Sequence, residues 1–298
     1  MNGHIKKEDG FSLAEMLVSM LILIPIVGAA VSLFSVAVNQ NASEQSSIEA
    51  NQDARSGLDL MTTEIAQAGS HKDWNTTTNS GITASVGAQT VAVASNTGFT
   101  VGDYVDVDNG ATWEQVQITA VGSNTLTGIF RVNHASGVSV RLFALPYITG
   151  VIPPAGLGAN SSTTVTQLKF YGDMSGNGDL NYVEYNYDAT NAQITRSMTP
   201  ITDGAKSAAL PFVRGIKAGS VQFTLYTDSL GTVTSVSLAL TVDNTWRIAS
   251  RYQETALSSR VVIPSAIAAS TLLAEIQQYG GPNHLPATPA HVATWSTQ

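Results

Sequence analysis

The chain has no cysteine in its 298 residues. Disulfides, zinc–thiolate centres and thiol catalysis are excluded, and the core must be held by packing alone. The compartment stays open, because an oxidising one permits disulfides without requiring them. Charge is scarce as well: 12 % of residues are charged against 43 % hydrophobic, and Ser, Thr, Asn and Gly fill the difference. That balance is common in secreted β-rich proteins and unusual for a soluble cytosolic one. Lys and Arg number only 14 against 22 Asp and Glu, for a net charge of −8, and no basic run extends beyond Lys6-Lys7. A chain so acidic has no electrostatic footprint for a phosphate backbone, so no nucleic-acid partner is expected.

Recognisable catalytic patterns are missing too. The sequence contains no G-x-S-x-G, G-x-x-x-x-G-K-[ST], H-E-x-x-H or dinucleotide fingerprint. Its five histidines (His4, His71, His134, His284 and His291) never fall at the i, i+3 or i, i+4 spacing that puts two ligands on one helix face, and each reads as a surface residue. The carboxylates are scattered, with no pairing for acid–base work. The chain reads as something other than an enzyme.

What is present is concentrated at the N-terminus. A short polar stretch, residues 1–10, leads into Gly10-Phe11-Ser12-Leu13-Ala14-Glu15-Met16, and an apolar run continues to Val38. Residues 16–38 are long enough to cross a bilayer as a helix, which needs about 20 residues. A secretory signal peptide would carry its small-residue cleavage site after the apolar run. Here the clearest processing signal, Gly10-Phe11, lies before it, so cutting there keeps the helix on the mature protein. Glu15 argues against an ordinary anchor, since a carboxylate at the edge of a membrane helix is costly and marks function by default. Cleavage after Gly10 exposes the α-amine of Phe11. In a bundle of helices, Glu15 of one subunit can neutralise that amine on its neighbour, each charge offsetting the burial cost of the other.

The segment from Gly10 to Leu17 resembles the processing site of type IV prepilins and type II secretion pseudopilins. The resemblance implies cleavage after Gly10 by a prepilin peptidase, N-methylation of Phe11, and an assembly role for Glu15 as the fifth mature residue. The acidic pair Glu8-Asp9 departs from the family, where basic residues are commoner, and Pro25 lies nearer the mature N-terminus than the proline of many major pilins. Further on, Ala54-Arg55-Ser56-Gly57-Leu58-Asp59-Leu60-Met61, with Glu64-Ile65 and Ala68-Gly69, is similar to the segment after the membrane helix in minor pilins of the PilW type. Independently, Leu58, Met61, Ile65 and Ala68 form an apolar stripe at helical period, with Gly69 placed as a C-cap.

After Gly69 the periodicity changes. Residues 71–82 read as loop. Short alternating runs at 90–94, 104–107, 116–121, 125–130 and 138–142, punctuated by Gly and Asn turns, predict a small all-β module of about five strands. Residues 152–162 read as a linker. Strands resume at 164–171, 182–187, 193–196, 220–226 and 233–242, and 251–264 reads as a closing strand. The expected class is α+β and pilin-like: a long N-terminal helix, membrane-spanning in its first half, packed on an antiparallel sheet head with an inserted β-module. The expected organisation is leader 1–10, transmembrane and filament-core helix 11–38, amphipathic continuation 39–70, inserted module 71–149, head sheet 150–264, and a short helix with a loose tail over 265–298.

One further constellation carries chemistry. Residues 173–184 have the oxygen spacing of a calcium loop, with Asp173, Ser175, Asn177 and Asp179 at positions 1, 3, 5 and 7, Gly178 at position 6 and Glu184 at position 12. Asp179 would act through its carbonyl and Asn181 through a water. The same residues also make a polar hairpin turn without metal, and the strand-like flanks exclude an EF-hand domain.

The resemblance implies a minor pilin that primes or caps a type IV pilus, starting as a single-pass protein of the inner membrane with its head outside the cytoplasm. Its partners would be other pilins and the peptidase. A minor pseudopilin of type II secretion is the near alternative. A tip-displayed adhesin or receptor-binding subunit, using residues 83–145, is the alternative of a different class.

Overall fold

The computed structural model describes residues 12–142, 145–243, 254–281 and 283–297. A single helix, α1 (Leu13–Ala66), runs for 54 residues, about 80 Å at 1.5 Å per residue. Ser12 starts it as the N-cap, and Pro25 lies within it. Proline brings no N–H, so the Leu21 carbonyl loses its usual helical partner there. The first half is apolar on every side and exposed throughout. The second half is amphipathic: Ala54, Gly57, Leu58, Met61 and Ile65 turn inward, with Glu64 among them. Burying Leu58, Met61 and Ile65 stabilises this join by on the order of 1.5–3 kcal/mol each. The predicted stripe is the buried face, Ala68 included. The helix stops sooner than expected, with Gln67 as C-cap. Gly69, at φ +73°, turns the chain away.

Seven short strands follow: β1 (Trp74–Thr77), β2 (Gln89–Ala92), β3 (Tyr104–Val107), β4 (Glu114–Gln117), β5 (Ala120–Gly122), β6 (Thr125–Gly128) and β7 (Ser139–Leu142). They form two antiparallel sheets, β1-β7-β3-β4 and β2-β6-β5. The sheets join at both ends. Thr119 N donates to Thr127 O at 2.8 Å on one side, and Ala94 N donates to Thr77 O at 2.9 Å on the other. The hydrogen bonds therefore lead round a closed ring, which leaves few free strand edges. Its core is Val91, Phe99, Val105, Val107, Ile118, Leu126 and Phe130, with others. β1 lies in residues read as loop. Trp74 is its only apolar residue, too little alternation to give a strand signal.

The rest of the head holds β8 (Ser162–Val165), β9 (Gln167–Gly172), β10 (Asn181–Asp188), β11 (Gln193–Pro200), β12 (Leu210–Arg214), β13 (Gln222–Thr227), β14 (Val233–Asp243) and β15 (Glu254–Val262). These make two four-stranded antiparallel sheets, β12-β11-β10-β9 and β15-β14-β13-β8, where the sequence predicts one. The expected strand 164–171 is divided between them, with β8 pairing β13 and β9 pairing β10. α1 packs against β12, β14 and β15, so both sheets rest on the helix around one core. Two helices end the chain, α2 (Pro264–Tyr279) and α3 (Ala290–Trp295). The tail read as loose is docked: Val292 and Trp295 are buried with Tyr147, Tyr171 and Tyr182. A tail that supplies its own apolar anchors gains more from burial than it loses in ordering.

The β-module leaves and rejoins the head at one crossing. Gly69 N donates to Tyr171 O at 2.7 Å, and Tyr147 N donates to Gly69 O at 3.0 Å. A Cβ on Gly150 would lie 2.3 Å from Gly69 N, so only glycine lets the two backbones pass. A second tie is Trp74, whose indole lies between Gly98 of the module and Gly178 of the head, with Lys72 Nζ 4.5 Å from its ring centre.

Candidate functional site

Ser12 and Glu15 form a reciprocal cap at the start of α1. Ser12 Oγ accepts from Ala14 N at 3.2 Å, and Glu15 Oε2 accepts from Ser12 N at 3.0 Å. Glu15 is thus held back toward the helix start, where two orphan donors and the positive end of the helix dipole favour a carboxylate. Gly10 and Phe11, the expected cleavage pair, lie outside the described residues. Beyond the cap, an 18-residue window of α1 has mean hydropathy 2.6 and is not buried at all. Leu13, Leu21, Ile24, Leu33 and Phe34 are each exposed on the isolated chain. α1 is thereby long and apolar enough to cross a membrane once.

The loop 173–184 gathers four of its five predicted oxygen donors and leaves out the fifth. Asp173 is buried, and its Oδ2 accepts from Gly178 N at 2.8 Å. Asn177 Oδ1 accepts from the Ser175 hydroxyl at 2.6 Å and from Asp179 N at 2.9 Å, while its amide donates to Asp179 Oδ2 at 2.7 Å. The Asp179 carbonyl accepts from Asn181 Nδ2 at 3.0 Å. Glu184 is engaged elsewhere, taking Lys206 Nζ at 3.0 Å and the Tyr182 hydroxyl at 2.7 Å. Calcium needs six to eight oxygens converging on one point. Here the oxygens are turned onto each other and onto a lysine, and do not converge on one point. Among the described residues, no three His, Asp or Glu side chains are placed to hold a metal. As arranged, the loop is a hydrogen-bonded turn, with Gly176 and Gly178 at positive φ.

Two buried polar clusters were not apparent in the sequence. Glu64 of α1 accepts from the Tyr185 hydroxyl at 2.5 Å and from Arg196 Nε at 3.1 Å, joining the helix to β10 and β11. Burial, with the Glu64 carboxylate second, pushes the Tyr185 hydroxyl well above the ordinary tyrosine range. The signal was a lone acid on an apolar helical face. In the module, His134 is buried and not at the surface as expected. Its Nε2 lies 2.7 Å from Glu114 Oε1 and its Nδ1 lies 3.3 Å from Asp108 Oδ2. Glu114 also accepts from the amides of Arg131 and Val132. Hydrogen bonds from Thr112, then His134, hold Asp108 below the usual carboxylate range. The cluster ties the start of β4 to the loops that carry Asp108 and His134. Its members are far apart in sequence, so no local motif announces it.

No family model, curated protein or solved structure matches the chain.

Proposed function

We propose that this chain is a minor subunit of the type IV pilin class: a membrane-anchored protein cut between Gly10 and Phe11, methylated on Phe11, and packed by its N-terminal helix into a filament. One observation carries the reading. A single helix is apolar and wholly exposed over its first half, yet built into the head over its second. Such a helix needs an apolar surrounding that the isolated chain does not supply. A bilayer meets that need before assembly, and the helices of other subunits meet it afterwards. Glu15 supports the same reading. Once Phe11 is the N-terminus, its amine is four residues from Glu15 in sequence, and a neighbour's helix can bring the two charges together. The PilW-like segment 54–69 favours a priming or capping subunit of a type IV pilus. A type II secretion pseudopilus would use the same parts, and the neighbouring genes separate the two.

The test is co-expression with a prepilin peptidase and the assembly machinery. Mass spectrometry is expected to find a mature chain starting at methylated Phe11, and sheared filaments are expected to contain it. Glu15→Ala should leave cleavage intact and strip the subunit from the filaments. A mature chain that begins after Val38, or normal incorporation of the variant, refutes the proposal.

A further inference from the structure

A cavity of about 1000 Å³ lies where the β-module, the 173–184 turn and the C-terminal tail meet. That is the upper end of the range for small-molecule sites, roughly 300–1,000 Å³. Tyr147 stands in its wall, only 7 % exposed, and no hydrogen bond reaches its hydroxyl among the described residues. A tyrosine hydroxyl can both donate and accept, so this one offers a bond to a group that enters the cavity. Among the described residues, the cavity's lining includes Asp103, Asp179 and Asp203 but no lysine or arginine. Tyr104 and His284, both in its lining, stack directly on each other with ring centres 3.9 Å apart. His71 stands beside Tyr147, its ring centre 5.6 Å away, and burial holds it below the ordinary histidine value.

We propose that this cavity binds a neutral saccharide. With three carboxylates and no cation, the wall repels phosphate, sulfate and uronate groups. Two features favour hydroxyls over an amine. Asp103 already accepts from Thr100 N at 2.6 Å and from the Thr100 hydroxyl at 3.0 Å, and Asp179 accepts from Asn177, so these carboxylates are not bare counter-charges. The Tyr147 hydroxyl and a neutral His71 can each donate and accept, which matches a sugar hydroxyl and not an ammonium, a pure donor. The aromatic and apolar side chains of the lining supply surface for the apolar faces of a sugar ring, as in other mixed pockets. The volume admits more than one ring. The site is independent of α1, so it stands or falls apart from filament assembly.

The experiment uses the full chain in a detergent without a sugar headgroup, such as an amine oxide. It is applied to an array of neutral, sialylated and sulfated oligosaccharides, and the best-retained glycan is titrated by calorimetry. Neutral glycans are expected to be retained and acidic ones not. Tyr147→Phe removes only the unpartnered hydroxyl. It should weaken binding about ten-fold, the effect of one lost hydrogen bond, with the melting temperature unchanged. Asp203→Asn, at an exposed position on the rim, is a second variant expected to weaken binding without touching the fold. Retention of no neutral glycan overturns the proposal, as does equal retention of acidic glycans, saturable binding of spermidine in their place, or unchanged affinity in both variants.

Discussion

Replacing Glu64 by alanine removes an acceptor shared by three elements. Its carboxylate takes the hydroxyl of Tyr185, which is fully buried on β10, and two nitrogens of Arg196 on β11. The variant leaves a phenol hydroxyl with no acceptor and a guanidinium with no counter-charge. Breaking a buried pair by removing one member costs about 3–5 kcal/mol. The Arg196 side chain keeps 23 % exposure, so its head can turn to water, and the screened share must be discounted. About 2–4 kcal/mol is therefore expected, most of it from the stranded Tyr185 hydroxyl and the lost anchor on α1. In a cooperative unit of roughly 150–250 residues each kcal/mol moves the melt by about 2–4 °C, so Glu64→Ala should melt about 4–16 °C lower. The assay is thermal and urea unfolding of the full chain in micelles, followed by the far-ultraviolet signal of the β-strands. Glu64→Leu combined with Arg196→Met and Tyr185→Phe should recover most of the loss, because shape-matched apolar groups strand nothing. A Glu64→Ala variant within about 0.5 kcal/mol of the parent, or strict additivity with Arg196→Met, would refute the reasoning.

Alkali gives another test. Burial first, and neighbouring Glu184 second, hold the Tyr182 hydroxyl above its ordinary value, and burial does the same for Tyr171. Unfolded tyrosine ionises near pH 10, so this stability is complete below that pH and is lost as pH rises toward the raised folded values. The melt should be flat from about pH 7 to 9.5 and fall above 10, less steeply in Tyr182→Phe; no fall by pH 11 contradicts this. Millimolar Ca²⁺ is expected to give no heat and no shift in melting temperature, since Glu184 is held by Lys206. Saturable heat lost in Asp173→Ala would show that the turn rearranges around the ion. Trp295→Ala should release the tail, so that limited proteolysis clips residues 283–290 in the variant and not in the parent; equal protection would show that α3 does not anchor it.

The long helix was legible because both of its halves repeat a simple pattern. One half is apolar without interruption, and the other carries Leu58, Met61 and Ile65 at helical spacing. Most strands were legible through alternation. β12 was not: Pro211 weakens its strand signal, and it is tolerated there because β12 is the edge of its sheet. The division of 164–171 between two sheets was also hidden, since a bend at one polar residue changes partners without disturbing the alternation. In the calcium-like loop the spacing was legible and the directions of the oxygens were not. Oxygen count along a chain does not say whether the oxygens face a common point or each other. Glu64, His134 and the cavity at Tyr147 depend on residues brought together across about 20 to 180 positions, and only the isolated acid on an apolar face hinted at any of them.

The crossing of Gly69 and Gly150 has a mechanical meaning. The chain enters the module and returns through the same point, so the head does not sense how much polypeptide lies between the two glycines. Loop-closure entropy grows only with the logarithm of the length, and about 80 residues folded as their own ring cost the head little more than a short turn. That makes the module a cassette: it can be lengthened, shortened or exchanged without shifting the register of β9 or the seat of α1. A load applied to it reaches the head through the backbone crossing, the Trp74 wedge and the stack of Tyr104 on His284. A side chain at Gly150 would therefore loosen the whole cassette at its root while leaving both folded parts intact.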